Sequence, residues 1–187
     1  ISNYAFSKFY AEQEAWRVSN EGLNVIILNP SIILGPGNWD KGSSKIFQRI
    51  YNGLKFYSTG SSGYVDVYDV AKITLLFLGN EIKNERYILN GTNITFRKAF
   101  NKIADELGVN RATIKVTPFL KEFAWRLEQI KSFLTGRPSL LTQETANSAM
   151  KKVSYSSLKV QQALDYKFVP FDVTIKEYCS FFKKDLI

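Results

Sequence analysis

The stretch NVIILNP (24–30) restricts the fold more than any other. Val25, Ile26, Ile27 and Leu28 follow one another without a polar residue, so an extended chain here is apolar on both faces, and a run this short reads as a strand rather than a helix. Such a strand belongs in a parallel sheet, with helices above and below and neighbours on both edges. The strands that can be read further along are short and irregular. The strand therefore has few partners in the chain, and the reading is that sequence on its N-terminal side is missing.

The surrounding pattern alternates strand and helix, which indicates an α/β protein. A helix is expected over 3–21, capped by Ser2 or Asn3 and stopped by Gly22, with Phe6, Phe9, Tyr10, Ala11, Ala15 and Trp16 at helical spacing. SIILGPGNWDKGSS reads as a loop, and KIFQRIYNGL as a short amphipathic helix to about 53. KFYSTGSSGYVDV reads as two short strands about a Gly/Ser turn, followed by a helix capped by Asp66 or Asp69. A strand at 86–89 ends in Asn90-Gly91, and Thr95 caps a helix stopped by Gly108. TIKVTP predicts a strand and then a helix from Pro118, with Thr117 as its cap, to about Leu134. After it come a helix from Thr142, a short strand at 153–155, and helices near 157–164 and 172–184. Neither an internal repeat nor a low-complexity segment interrupts the pattern.

At 187 residues and 45% hydrophobic, the chain can bury a real core. No run reaches the roughly 18–20 apolar residues that cross a bilayer, and no signal peptide opens the chain, so a cytoplasmic protein without membrane contact is expected. The absence of histidine closes Ser-His-Asp and Cys-His catalysis and the common His-containing zinc sites, and no metal is expected. Cys179 has no partner for a disulfide and reads as a buried structural thiol. The net charge of +8 comes from lysines and arginines scattered among glutamates, so a nucleic-acid partner is not expected.

Tyr4 and Lys8 are the candidates for chemistry. Residues i and i+4 share a helix face, so a phenol and an ammonium converge on one ligand. A nearby ammonium favours phenolate, which turns a phenol into a usable acid or base, and the same lysine can hold a cofactor ribose. The spacing by itself says little: Tyr51/Lys55, Tyr68/Lys72 and Tyr155/Lys159 repeat it, so four of the ten tyrosines have it, where about one pair is expected by chance.

Context separates the first pair from the others. YAFSKFYAEQEAW, NVIILNPSIILGPG, GYVDVYDVAKITLLFL and ERYILNG, in that order, resemble the C-terminal half of the extended short-chain dehydrogenase/reductases, the NAD-dependent epimerase/dehydratase superfamily. NPSIILGP resembles the dihydroflavonol reductase and 3β-hydroxysteroid dehydrogenase branch more than the sugar-nucleotide enzymes. The resemblance covers 1–108 well and the rest loosely. It implies the C-terminal part of a Rossmann-type doubly wound parallel sheet over 1–90, with a substrate-side insert near 35–65, and a small, mainly helical substrate-binding region over 91–187. Tyr4 and Lys8 match the catalytic YxxxK residues and would also contact the cofactor, NAD or NADP with NADP slightly favoured. Pro30, Ser31 and Ile32 would line the nicotinamide and Ser44 would lie near its phosphates; Gly37, Asn38, Trp39 and Tyr64 would meet a small carbonyl or alcohol substrate. A homodimer is compatible with this reading.

GPGNWDKGSS does not replace a phosphate loop. After Gly35 and Gly37 the third glycine of a dinucleotide fingerprint falls at 42 rather than 40, and Ser43 stands where a nucleotide-triphosphate loop needs lysine. The fingerprint GxxGxxG and the carbonyl-polarising Ser/Thr of the family would lie upstream, in roughly 140–150 residues that are not here. The chain alone is therefore expected neither to hold NAD(P) tightly nor to turn over. The alternatives are a sugar-nucleotide epimerase or dehydratase, and a module that senses a cofactor or binds nucleic acid without catalysis.

Overall fold

The computed structural model describes residues 3–120, 122, 125–126 and 143–186. Helix α1 (Asn3–Asn20) comes first and ends at Gly22, whose φ of +102° turns the chain into β1 (Ile26–Pro30). β1 pairs in parallel with β5 (Glu85–Leu89), in register from Ile26 opposite Glu85 to Pro30 opposite Leu89. After a bend at Ser31 the chain forms β2 (Ile32–Leu34), where a loop is expected from the sequence. β2 lies parallel to β4 (Ser61–Asp66), and β4 is antiparallel to β6 (Thr92–Thr95). The predicted Gly/Ser turn is thus strand: Ser61, Ser62 and Gly63 face Thr95, Ile94 and Asn93. Two hydrogen bonds, Ser31 N to the Leu89 carbonyl and Gly91 N to the Tyr64 carbonyl, both 2.9 Å, join the two ladders. β3 (Phe56–Tyr57) and β7 (Ile114–Lys115) make a short parallel pair at the periphery.

The helices begin where capping residues stand. α2 (Lys45–Tyr51) follows Ser44. α3 (Val67–Leu78) starts at Asp66, whose carboxylate accepts the Tyr68 N–H at 2.8 Å, and α4 (Phe96–Leu107) starts at Thr95 and stops at Gly108 in the left-handed conformation. Thr117 accepts the Leu120 N–H at 3.2 Å and opens a helical turn at 118–120. The predicted continuation from 127 to 134 and the start at Thr142 lie outside the described residues. α5 (Gln143–Ser148), α6 (Leu158–Leu164) and α7 (Phe171–Leu186) complete the chain. The predicted strand at 153–155 is instead an extended run without a ladder. One parallel bridge, Ser61 to Lys152, and the Asn93 and Asn90 side chains that accept from and donate to the Tyr155 backbone supply its hydrogen bonds. A Cβ on Gly60 would fall 2.4 Å from the carbonyl oxygens of Ala149 and Lys151, so only glycine lets these backbones approach.

Two apolar clusters form. One joins Leu34, Phe47 and Tyr64 to Ile103 of α4 and to Ile175 and Phe182 of α7; the other packs Ile73 and Phe77 of α3 and Val160 of α6 against Tyr87 and Leu89 of β5. Full burial of one ring such as Phe182, set edge-on against Trp39 at 5.0 Å, contributes about 1.5–3 kcal/mol and fastens α7 to α2 and α4. Cys179, 2% exposed, lies in this cluster as expected, and burial pushes its thiol up to about 12.

Among the described residues β1 has few partners, as expected, but is less buried than an apolar run suggests. Ile26, Ile27 and Leu28 are only half-buried, because among the described residues the strand has a neighbour on one edge only. α1 likewise has no buried residue, and Phe6, Phe9 and Tyr10 of its apolar repeat are 43%, 57% and 63% exposed. Among the described residues no helix is long and apolar enough to cross a membrane.

Candidate active site

α1 places Tyr4 and Lys8 one turn apart on its first two turns, with the Lys8 Nζ 5.9 Å from the centre of the Tyr4 ring. The pair thus faces one way, as the i, i+4 spacing requires, and Tyr4 is 72% exposed. One further turn along the same stripe is Glu12, and this residue anchors the helix. Its carboxylate accepts from Arg86 at 2.8 Å, Asn29 at 3.3 Å and Trp16 at 3.4 Å. Partial burial works to raise the carboxyl, but these three donors outweigh it and hold it below the usual carboxylate range. Sequence reasoning missed Glu12; the signal was its place four residues after Lys8.

Asn29 leads directly into Pro30, Ser31 and Ile32, which sit at the C-terminal end of β1. With Ser62, Arg86 and Tyr155 they line a cleft of about 490 Å³. Parallel α/β sheets bind ligands at the C-terminal ends of their strands. The Ser31 Oγ is buried and has no hydrogen-bond partner among the described residues, which leaves a polar atom unsatisfied in the cleft. Tyr4 and Lys8 do not line it; α1 reaches it through Glu12, Asn29 and Arg86.

A second cavity, of about 310 Å³, opens between β2, β4, α2 and α4. Ile32, Leu34, Tyr64, Phe96, Phe100 and Phe171 make its walls largely apolar. Tyr64 is 6% exposed, burial pushes its phenol up, and its hydroxyl makes no hydrogen bond among the described residues. Lys45 and Arg49, one turn apart on α2, also line the cavity, and neither has an ion-pair partner among the described residues. These cations and the Phe96 and Phe171 walls were not read from the sequence. KIFQRIY carries the cations at i, i+4, but Phe96 and Phe171 come from elements more than 40 residues away.

The other predicted residues lie outside both hollows. The Ser44 Oγ donates to the Gly35 carbonyl at 3.0 Å, and Ser43 to the Ile33 carbonyl, so both pin the 35–44 loop to β2. Gly37 and Asn38 are exposed, and the Asn38 side chain accepts the Asp40 N–H at 2.9 Å. Trp39 packs against Phe47 and Phe182 and donates from Nε1 to Asp185 at 2.7 Å, which ties the loop to α7.

Two buried carboxylates set the floor below β4. Asp66 accepts Tyr178 Oη at 2.6 Å and Thr174 Oγ1 at 2.7 Å besides capping α3; Asp69 accepts Tyr166 Oη at 2.7 Å and the Val169 N–H at 3.0 Å. Desolvation raises Asp69, against the pull of those two donors, and both burial and the bond to Asp66 push the Tyr178 phenol up. These groups are structural: every oxygen is committed inside the protein.

The model of the NAD dependent epimerase/dehydratase family matches residues 1–90. Those residues are therefore similar to this family. A dihydroflavonol 4-reductase-like protein of Synechocystis sp. is 29% identical over 172 residues, 87% of this chain and 49% of that protein. Cinnamoyl-CoA reductase 1 of Arabidopsis thaliana is 31% identical over 90 residues, 46% of this chain and 26% of that protein. Among solved structures, that of gox2253 superposes with a TM-score of 0.77 at 26% identity, covering 99% of this chain and 57% of the other. A nucleoside-diphosphate-sugar epimerase of Pseudomonas aeruginosa superposes at 0.78 with 20% identity, over 99% and 56%, which establishes the fold alone. The chain spans about half the length of the first of these relatives. The mixed α/β architecture with its parallel strands is thus like that of these solved structures.

Proposed function

We propose that this chain carries the acid-base and substrate side of an NAD(P)-dependent oxidoreductase that reduces a carbonyl or oxidises an alcohol. The observation that carries the reading is the family match over 1–90, a range that includes Tyr4, Lys8, β1 and the Asn29–Ile32 turn, together with relatives named as reductases. In the reducing direction Tyr4 Oη gives its proton to the substrate oxygen, and Lys8 steadies the negative charge left behind. In the oxidising direction the same oxygen takes the proton back. Glu12 holds the stripe against Asn29 and Arg86, so the proton donor keeps its place relative to the strand end.

The orphaned Ser31 Oγ and the cleft at the strand end fit the nicotinamide end of the cofactor, with Pro30 and Ile32 as its walls. When bound, the cofactor supplies or accepts the hydride. The fit is for one end only, since no glycine fingerprint stands in this chain for the phosphates. The apolar walls around Tyr64 favour a substrate with an apolar body over a bare sugar. A sugar-nucleotide epimerase or dehydratase is the second reading, favoured by the epimerase/dehydratase family model that matches residues 1–90.

The test is Tyr4→Phe in the full-length protein, which removes one oxygen and little packing because the ring is 72% exposed. Turnover falls by about two to four orders of magnitude, the usual worth of a positioned acid or base, with cofactor affinity unchanged. Retained turnover refutes the assignment. Comparing ketone and aldehyde panels with UDP-sugars separates the two readings.

A further inference from the structure

We infer that the cavity between β2, β4, α2 and α4 takes a small apolar carbonyl or alcohol compound bearing an anionic group, which Lys45 and Arg49 bind at its mouth. The inference rests on the proposed reading in taking this cavity for the substrate's, and it adds the charge and the size of the ligand. Three observations carry it. The walls are apolar, from Ile32, Leu34, Phe96, Phe100 and Phe171, so the body of the ligand is apolar. At about 310 Å³ the cavity is at the low end of small-molecule sites, which run from about 300 to 1,000 Å³, and so holds one or two rings rather than a whole nucleotide sugar.

The third observation is charge. Lys45 and Arg49 are on one face of α2, both line the cavity, and no carboxylate among the described residues pairs with either. Among the other described arginines, Arg17 pairs with Glu14 and Glu21, Arg86 with Glu12, Arg111 with Asp105 and Arg126 with Glu122, while Arg97 lies over the Tyr57 ring. Two adjacent cations repel each other unless an anion lies between them, and a carboxylate or phosphate accepts from the planar guanidinium in two parallel hydrogen bonds. Inside the cavity the Tyr64 hydroxyl, on a residue 6% exposed and without a hydrogen bond among the described residues, supplies a polar contact for an oxygen of the ligand.

The probes are naphthalene-2-carboxylate and its neutral partner naphthalene-2-carboxamide, titrated into the purified chain and followed by calorimetry and by amide shifts in the NMR spectrum. This readout needs neither cofactor nor turnover, so its failure is distinct from that of the acid-base assignment. The carboxylate binds about tenfold more tightly than the amide, two charge-assisted contacts being involved, and the preference shrinks as salt is raised. Shifts fall on residues of α2 and β4. Lys45→Gln/Arg49→Gln abolishes the preference while leaving the binding of the amide, and Lys41→Gln, on an exposed neighbour outside the cavity, leaves both unchanged. Equal affinity for the two probes, no binding of either, shifts located elsewhere, or a preference that survives the double substitution overturns the inference. Unchanged thermal midpoints for the variants exclude unfolding as the cause.

Discussion

Asp66→Ala tests what fastens the C-terminal helix. Asp66 is 4% exposed and holds three donors: the Tyr68 N–H at 2.8 Å, Thr174 Oγ1 at 2.7 Å and Tyr178 Oη at 2.6 Å. Losing the cap costs about 1 kcal/mol. Thr174 and Tyr178 are 2% and 0% exposed, so water does not replace the lost acceptor, and each stranded hydroxyl costs about 1–3 kcal/mol. The sum of roughly 3–7 kcal/mol is comparable with the whole stability of a domain, about 5–15 kcal/mol, so the variant is largely unfolded or close to it. Urea unfolding followed by circular dichroism measures the loss, provided that the slope stays constant. The decisive comparison is the same substitution in a Thr174→Val/Tyr178→Phe background, where no hydroxyl is left to strand. There Asp66→Ala costs about 1 kcal/mol, the cap alone. Equal costs in the two backgrounds refute the reasoning, because the hydroxyls would then not be what the carboxylate secures.

Two further outcomes follow from the other carboxylates. Desolvation raises Asp69 in the folded state above its unfolded value, so the folded protein holds the proton longer; its contribution is most favourable at low pH and is lost as pH rises through the raised folded value. The stability of the wild type relative to Asp69→Asn, from urea midpoints across a pH series, therefore falls on going from acid to neutral, and a flat or rising difference contradicts the assignment. Glu12 has the opposite sign. Its folded value is lowered, so its hold on α1 is full above the unfolded value and fades as pH falls through the folded one. Glu12→Gln lowers the hydrogen-exchange protection of α1 roughly tenfold at neutral pH, and acidification loosens the wild type to match; a variant as protected as the wild type sinks the anchoring role.

Local chemistry made the helices legible. Asp66, Thr95 and Thr117 cap helices as their side chains dictate, and Gly22 and Gly108 end helices in backbone conformations that disfavour other residues. What depends on distant partners was not legible. β2 and β6 are three and four residues long and become strands only because β4 lies between them, and Ser61–Gly63, a turn by composition, is strand for the same reason. Val153–Tyr155 has the composition of a strand, but Ser61 takes the backbone hydrogen bonds of Val153 and the Asn90 and Asn93 side chains take those of Tyr155. At the site, the Tyr4/Lys8 face and the Pro30–Ile32 turn were readable from order and spacing. The Lys45/Arg49 mouth was not, since its meaning depends on Phe96 and Phe171, which reach it from other helices.

The one-sided pairing of β1 also bears on how the chain meets other extended segments. Among the described residues no strand covers the second edge of β1, where alternate residues of 26–29 present backbone donors and acceptors on a hydrophobic run with no lysine to repel a newcomer. An unpaired apolar edge is a template for strand addition, so a segment that lays a matched strand along it by β-augmentation is expected to pair there.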